Sequence, residues 1–130
     1  MGDFILKDTS TLRSDKVDLT AVYQFAGELE LSQLHGYVIQ YVKNIKQRID
    51  ELHHAFDCND FEKVKAVAHN MKSGALYIGA QKLSESCQYL ETSTITKPLD
   101  LKLILLAREN VQSELNEVID FLETWSDSVE

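Results

Sequence analysis

His69, Lys72 and Ser73 lie within five positions of one another. If this segment is helical, Lys72 and Ser73 lie one turn beyond His69 and on the same face. A neutral imidazole nitrogen is a nucleophile that is available near pH 7. An ammonium group one turn away attracts anionic oxygens, such as those of a phosphoryl group. These residue types at this spacing indicate a nucleophilic site that is presented to an anionic substrate.

The residues around His69 have the apolar period of an amphipathic helix. Apolar side chains recur there at alternating steps of three and four, which predicts a buried stripe of Phe61, Val64, Ala68, Met71, Ala75 and Ile78. His69 follows Ala68 by about 100° of rotation, so it leaves the stripe and points toward solvent. The outer face then carries Lys65, Lys72, Ser73 and Leu76 beside His69, and Gly79 ends the helix as a left-handed cap.

The rest of the chain also predicts helices, because no segment alternates at period two over the length of a strand. Asn59, with Glu62 three residues on, predicts the capping box of the His69 helix. Pro98 fits the first turn of the last helix, with Thr96 or Lys97 as its cap. The other predicted helices run from Asp18 to Gly27, from between Glu28 and Ser32 to about Phe56, and from about Gln81 to Glu91.

The predicted core positions follow from the same periods. The second helix buries Leu34, Val38, Tyr41, Ile45, Ile49 or Arg48, Leu52 and Phe56, and the fourth buries Leu83, Cys87 and Leu90. The last helix buries Leu101, Ile104, Leu105, Val111, Leu115, Val118, Leu122 and Trp125. Short connections make neighbouring helices antiparallel. The fold class is therefore all-α, an antiparallel four-helix bundle with a short additional N-terminal helix.

Equal distances from the turn at Ala80 predict which residues face one another across the hairpin. His69 and Glu91 are each eleven positions from Ala80, and Lys72 and Gln88 are each eight. Helices of one hairpin therefore bring Glu91 to the level of His69 and Gln88 to the level of Lys72. A carboxylate on Nδ1–H would fix the imidazole tautomer and leave Nε2 as the nucleophile.

Composition narrows the class of protein further. The 130 residues carry 13 basic and 21 acidic side chains, a net charge of −8, which argues against nucleic acid as a partner. No apolar run reaches the length of a membrane span, and two cysteines form no disulfide framework. We expect a cytoplasmic monomer without a membrane partner. Because the sequence has no Gly-rich phosphate loop, Walker lysine or Asp cluster, we expect no bound cofactor, no metal and no kinase activity.

The segment His69-x-x-Lys72-Ser73-Gly74, with Gly79-Ala80, Leu83, Cys87 and Leu90-Glu91 downstream, resembles the signature of histidine-containing phosphotransfer (HPt) domains. The usual form is His-x-x-Lys-Gly-[Ser/Ala], so Ser73 and Gly74 stand in reversed order here. The resemblance covers roughly residues 17–125. It implies an HPt-like helical bundle domain over 17–126 and an N-terminal arm over 1–16, loose or packed on the bundle.

The resemblance also implies a function and roles for individual residues. His69 would be the phosphoacceptor of a phosphorelay, taking a phosphoryl group from one receiver-domain aspartate and passing it to another. Lys72 would supply charge to the phosphoryl group, Glu91 would orient the imidazole, and Gln88 is a further candidate. The partners would be a hybrid sensor kinase and a downstream regulator, with Mg²⁺ on the receiver. The residues of this chain expected to contact the receiver domain are Lys65, Ser73, Gly74, Leu76 and Tyr77.

Three other interpretations remain open from the sequence. His69 can be an ordinary surface histidine on a soluble helix. The chain can be a helical adaptor, a pseudo-HPt module that binds a partner without being phosphorylated. It can also be the phosphoacceptor domain of a chemotaxis-type kinase, where a glutamate at the place of Glu91 is common, although that interpretation requires kinase segments that are missing from these residues.

Overall fold

The computed structural model describes residues 14–20, 22 and 31–129. This part of the chain contains no strand, and it contains four helices: α1 (Leu31–Asp57), α2 (Phe61–Tyr77), α3 (Gln81–Ile95) and α4 (Leu101–Ser128). The prediction of an all-α four-helix bundle is confirmed. Most of the predicted helix from Asp18 to Gly27 lies outside the described residues, and so do residues 1–13 of the predicted arm.

The four helices close into a square. Each helix packs on its neighbour in the chain, and α4 also packs on α1. The helix α2, which carries His69, therefore lies diagonally opposite α4, and α1 lies diagonally opposite α3. This arrangement leaves the outer faces of α2 and α3 side by side on one flank of the bundle, while the outer face of α4 points away from α2.

Most of the predicted core positions are buried, because the apolar period of each helix matches its packed face. In α2 the whole stripe is buried except Phe61, which is partly exposed. In α1 the core position is Ile49 and not Arg48, and Tyr41 is only partly buried. The prediction was wrong for Leu101 and Leu105, which are exposed.

The register of α4 explains these two errors. Ile104, Ala107 and Val111 form the buried side of its first turns, and they recur at steps of three and four. Leu101 and Leu105 lie beside that side and not on it. The packed face of α4 instead accommodates the smaller residue Ala107, which is fully buried.

Two helix starts were predicted one or more residues too early. Asn59 has a φ of 52° and ends α1, because its amide bonds the carbonyl of Phe56 and the next amide, of Asp60, bonds that of Ala55. Asp60 is therefore the cap of α2, and its carboxylate accepts a hydrogen bond from the amide of Lys63.

The start of α4 follows the same chemistry. Asp100 is its cap, since its side chain accepts a hydrogen bond from the amide of Leu103. Pro98 lies before this cap, outside the helix, and neither Thr96 nor Lys97 caps α4. A carboxylate that is free to bond the first turn is a stronger start signal than a proline alone.

The prediction that α3 ends at Glu91 was also wrong, since the helix continues to Ile95. The polar run Thr92-Ser93-Thr94 favours an end at that point, because hydroxyl side chains compete with helical backbone bonds. Here Ser93 Oγ instead donates to the carbonyl of Leu90, and Thr94 Oγ1 donates to that of Glu91. Both hydroxyl groups are satisfied inside the helix, so the helix continues past them.

The turn between α2 and α3 is built on Gly79, as predicted. Its φ is +80°, a region that glycine adopts without strain. The amides of Gly79 and Ala80 close the end of α2 by bonding the carbonyls of Leu76 and Ala75. The carbonyl of Gly79 then accepts a hydrogen bond from the amide of Asp18 at 2.9 Å, so the chain before α1 crosses this turn.

We expect Gly79→Ala to lower the free energy of unfolding by about 2–3 kcal/mol or more. A Cβ at this position would lie 1.9 Å from the carbonyl oxygen of Asp18, in addition to the strain of a positive φ. Gly36→Ala is the matched control, because a Cβ there meets nothing within 4 Å and the position is inside α1. The control should raise stability by about 0.5–1 kcal/mol. Urea unfolding of both variants measures the difference, and equal effects would contradict the close approach of Asp18.

Candidate functional site

The imidazole of His69 is exposed on the outer face of α2 and is held by a carboxylate of α3. Its Nδ1 lies 2.9 Å from Oε2 of Glu91. The His69 side chain is 61% exposed, and that of Glu91 is 18% exposed. Since the carboxylate only accepts hydrogen bonds, the proton lies on Nδ1. No hydrogen bond to Nε2 of His69 exists among the described residues, so its lone pair is open to solvent in the neutral ring.

Lys72 lies one turn from His69 and contacts the same carboxylate. Its Nζ is 3.1 Å from Oε1 of Glu91 and donates to Oε1 of Gln88 at 2.7 Å. One carboxylate therefore uses one oxygen for His69 and the other for Lys72. The equal-distance argument from Ala80 placed both pairs at common levels, and the structure brings both pairs into contact.

The environment of Glu91 keeps its carboxylate ionised. Partial burial raises the pKa of this carboxyl, but the hydrogen bonds from Lys72 and His69, with their charges, outweigh burial and hold the pKa below its usual range. At neutral pH Glu91 is therefore an acceptor for Nδ1–H. It can fix the tautomer of His69 and can stabilise positive charge that develops on the ring.

Cys87 lies beneath this network and takes no part in its chemistry. Its side chain is fully buried. Burial raises the pKa of the Cys87 thiol to about 12, and the negative charge of Glu91 adds to this rise. The thiol therefore stays protonated at neutral pH. Because the thiolate is the reactive form of cysteine, Cys87 is unreactive. Its place in the HPt-like motif is explained by packing.

The sequence reasoning missed one contact of the site, that of Thr92. Gln88 Nε2 donates to Oγ1 of Thr92 at 3.1 Å, which turns the amide oxygen of Gln88 toward Lys72. Gln88 and Thr92 are four positions apart, a spacing that brings side chains together on one helix face. That signal was lost because α3 was predicted to end at Glu91.

The predicted docking residues surround His69 on the outer face of α2. Leu76 and Tyr77 are exposed, at 52% and 47%. Ser73 is exposed, and its Oγ lies 3.4 Å from the carbonyl oxygen of His69. Gly74 is partly buried, and a Cβ added there would meet the ring of Tyr41 at an ordinary contact distance of 3.5 Å.

Lys65 belongs to the same face but is engaged within its own helix. Its Nζ lies 3.3 Å from a carboxylate oxygen of Glu62. An exposed pair of this kind is weak, so Lys65 can exchange Glu62 for an acidic partner at little cost.

The family of the chain follows from comparison with known proteins. The family model described as the Hpt domain matches residues 36–125, which include every residue of the site. The chain belongs to the Hpt domain family. Hpt domains carry out histidine phosphotransfer, and in two-component systems they interact with receiver domains. They are phosphotransfer carriers and not kinases.

Similar proteins are known by sequence and by structure. The chain is 23% identical over 109 residues to the sensor protein TorS of Escherichia coli (strain K12), an alignment that covers 84% of this chain and 11% of that protein. It therefore spans about a tenth of the length of this relative.

Two solved structures share the fold. Histidine-containing phosphotransfer protein B (HptB) of Pseudomonas aeruginosa PAO1 has a TM-score of 0.77 and 19% identity, over 89% of this chain and 98% of that one. A putative histidine-containing phosphotransfer protein from rice has a TM-score of 0.69 and 19% identity, over 87% of this chain and 81% of that one. The two TM-scores establish that the helical bundle is shared. At 19% identity, neither structure assigns a partner to this Hpt domain.

The described residues contain neither a metal-binding cluster nor a membrane-spanning helix. Within residues 14–20, 22 and 31–129, no group of three or more His, Cys, Asp or Glu side chains could hold a metal ion. None of the helices in these ranges has the length and apolar character needed to cross a membrane. His54 and Cys58 do approach one another, at 3.7 Å between Nε2 and Sγ, but no third ligand from the described residues joins them.

Proposed function

We propose that Nε2 of His69 accepts a phosphoryl group from the aspartyl phosphate of one receiver domain and passes it to the aspartate of another. The observation that carries this proposal is the 2.9 Å contact between Nδ1 of His69 and Oε2 of Glu91. This contact assigns the proton to one ring nitrogen and leaves the other, exposed one with its lone pair. A surface histidine without a task would not need a partly buried carboxylate on the neighbouring helix.

The transfer step balances without a further reactant. The lone pair of Nε2 attacks phosphorus, an N–P bond forms, and the P–O bond to the receiver's aspartate breaks as that carboxylate leaves. The ring becomes positively charged because Nδ1 keeps its proton, and the Glu91 carboxylate lies against that proton. In the second transfer the N–P bond breaks, a new receiver carboxylate takes the phosphoryl group, and His69 returns to its neutral form.

Lys72 has the right charge and place to hold the phosphoryl oxygens. Its side chain is 21% exposed, and its ammonium is shared between Glu91 and Gln88 in the unphosphorylated domain. An ammonium has three donors, so one can turn to the phosphoryl group while the others keep these contacts. Glu91 and Gln88 then act as positioning residues, since they hold Lys72 and do not touch the phosphoryl group.

We infer the partners from the Hpt family and from the matched relative, which is a sensor protein. A hybrid sensor kinase would supply the phosphoryl group through its receiver domain, and a separate regulator would take it. The receiver would bring Mg²⁺ and the acidic pocket, while the chain brings no cofactor and no enzymatic activity of its own. We place the carrier domain at residues 17–126, with an N-terminal arm at 1–16. We propose that this domain acts in the cytoplasm.

A transfer assay tests the proposal directly. The chain is incubated with a receiver domain that carries labelled aspartyl phosphate, and the label is then followed to a second, unlabelled receiver. We expect the chain to take up label that is lost in acid and stable in base, as a phosphorus–nitrogen bond requires. If the chain binds the receiver and never takes label, it is an adaptor and the proposal is wrong.

We expect Glu91→Ala to shift the neutral tautomer of His69 and to slow phosphoryl transfer about tenfold without abolishing it. The substitution removes the acceptor of Nδ1–H, so the proton can occupy either ring nitrogen. Nitrogen-15 NMR of the imidazole reports the tautomer, and the transfer assay reports the rate.

Glu85→Ala is the matched control, because it removes an exposed carboxylate from the same helix. It should change neither quantity. An unchanged tautomer in Glu91→Ala would remove the carboxylate from the proposed mechanism, even if the rate fell.

A further inference from the structure

Exposed leucines surround the start of α4, on the opposite corner of the bundle from His69. Leu101, Leu105 and Leu106 are 54%, 42% and 52% exposed, and Leu99 and Leu103 are exposed as well. Five exposed leucines in eight positions form an apolar surface, whereas exposed apolar residues in monomers are normally scattered singly. The same two leucines that were predicted to be core, Leu101 and Leu105, belong to this surface.

The outermost part of this surface is a straight stripe. Lys102, Leu105, Leu106 and Glu109 follow one another at steps of three, one and three, which places them on one side of α4, turned away from the buried Ile104. Together with Asp100 and Leu103 they line a common open groove. We call these four residues the α4 stripe. The lysine stands at one end, the glutamate at the other, and the two leucines lie between them.

The two charges of the α4 stripe have no ion-pair partner in the part of the chain that the structure describes. Among residues 14–20, 22 and 31–129 the ion pairs use other side chains. The stripe is also locally neutral, with one positive and one negative side chain, although the chain as a whole carries a net charge of −8. The four residues of the stripe therefore add no net charge to a contact between two such acidic chains.

Although the sequence led us to expect a monomer, we propose that the α4 stripe is a homodimer interface, in which the α4 helices of two copies pack antiparallel about a twofold axis between Leu105 and Leu106. In this register Leu105 faces Leu106 of the other copy, and Lys102 faces Glu109 of the other copy. The twofold repeats both contacts, giving a core of four leucines between two ion pairs. A parallel pairing would set like charges against each other at both ends, so the charge order selects the antiparallel one.

The occupant is a second copy because the stripe is complementary to itself. Its charges are placed symmetrically about its leucines, which is what an isologous contact needs and what a different partner would not require. The area is small, since two helical turns supply most of it. The dimer therefore belongs to the weak class of interfaces, with a dissociation constant on the order of 10–100 μM.

Dimerisation would leave the phosphotransfer site free. Because α4 lies diagonally opposite α2, the outer face of α4 points away from His69, and each copy keeps its own docking face. The inference does not depend on the proposed function. A dimer could present two phosphoacceptor sites to a paired receiver partner.

Sedimentation of the full chain between about 10 μM and 1 mM tests the interface. We expect a concentration-dependent dimer. Lys102→Glu should weaken it at least about tenfold, because each ion pair becomes a pair of like charges. The double variant Lys102→Glu, Glu109→Lys should restore it, since the reversed charges again face one another. Lys43→Glu changes the net charge by the same amount on an exposed position of α1, and it should leave the dimer unchanged.

The apolar part of the stripe is tested with a matched pair of truncations. Leu106→Ser should abolish the dimer, and Leu76→Ser, equally exposed at 52% on the His69 face, should not. A chain that stays monomeric at the highest concentration overturns the proposal. So does a dimer that survives Leu106→Ser, while a charge swap that fails to restore association overturns the antiparallel register. Binding to a receiver domain that only Leu106→Ser removes would assign the stripe to that partner instead.

Discussion

We expect His69→Gln to abolish phosphoryl acceptance while the bundle stays folded. Glutamine has no nucleophilic nitrogen, so no N–P bond can form, and the loss should be complete within the sensitivity of the label. The free energy of unfolding should change by less than about 0.5 kcal/mol, because the side chain is largely exposed and only its contact with Glu91 is altered. The labelled-receiver assay and urea unfolding measure the two effects on the same sample.

The other histidines provide the control for this result. His54 is also exposed, at the end of α1, and its nearest polar contact is Cys58. His54→Gln should accept label at the normal rate. His53 is engaged at both ring nitrogens, by Arg108 and Gln112, so it has no free nucleophile. Label on His35, His53 or His54 of the His69→Gln variant would show that the site has been assigned to the wrong residue.

The geometry of the site was predictable because it depends on only two regular quantities. One is the period of a helix, which turned His69 outward. The other is the position of the turn at Gly79 and Ala80, which sets the levels of two antiparallel helices. The glycine is visible in the sequence as a candidate turn residue, and in the structure Gly79 has the positive φ that such a turn needs. With the turn fixed, the contacts of His69 with Glu91 and of Lys72 with Gln88 follow by counting residues.

What the sequence did not reveal depends on competition between similar local signals. Asn59 and Asp60 are both good caps, and only the left-handed backbone at Asn59 decides that Asp60 starts α2. The threonines after Glu91 can end a helix or bond within it, and the hydrogen bonds seen in α3 decide the latter. In both cases the local sequence permits either outcome, and the hydrogen bonds that form decide between them.

The leucines of α4 show the same limit for burial. Periodicity assigned Leu101 and Leu105 to the core because they are large and apolar, but the packed side of the helix runs through Ala107. The apolar surface at the start of α4 was therefore not predicted, because two of its leucines were assigned to the core. Here it is the surface from which a second partner of the domain was inferred.

We expect Ser73→Trp to reduce phosphoryl transfer from a receiver protein by about 100-fold or more, because the new side chain displaces the reacting aspartyl phosphate from Nε2. Ser73 lies one turn beyond His69, is exposed, and has its Oγ 3.4 Å from the carbonyl oxygen of His69. A tryptophan there extends over the face that the receiver must approach. Helix content should be unchanged, since the position is on the outside of α2, and circular dichroism checks this.

A small donor separates docking from chemistry. Phosphoramidate needs no protein surface, so Ser73→Trp should slow phosphorylation of His69 by this donor far less than transfer from the receiver. Gln47→Trp adds the same side chain at an exposed position of α1 and should affect neither donor. An equal loss with both donors in Ser73→Trp would mean damage at His69 itself. Undiminished transfer from the receiver would mean that the receiver docks on another face of the bundle. A receiver that approached Nε2 over Ser73 and Leu76 would collide with the added ring.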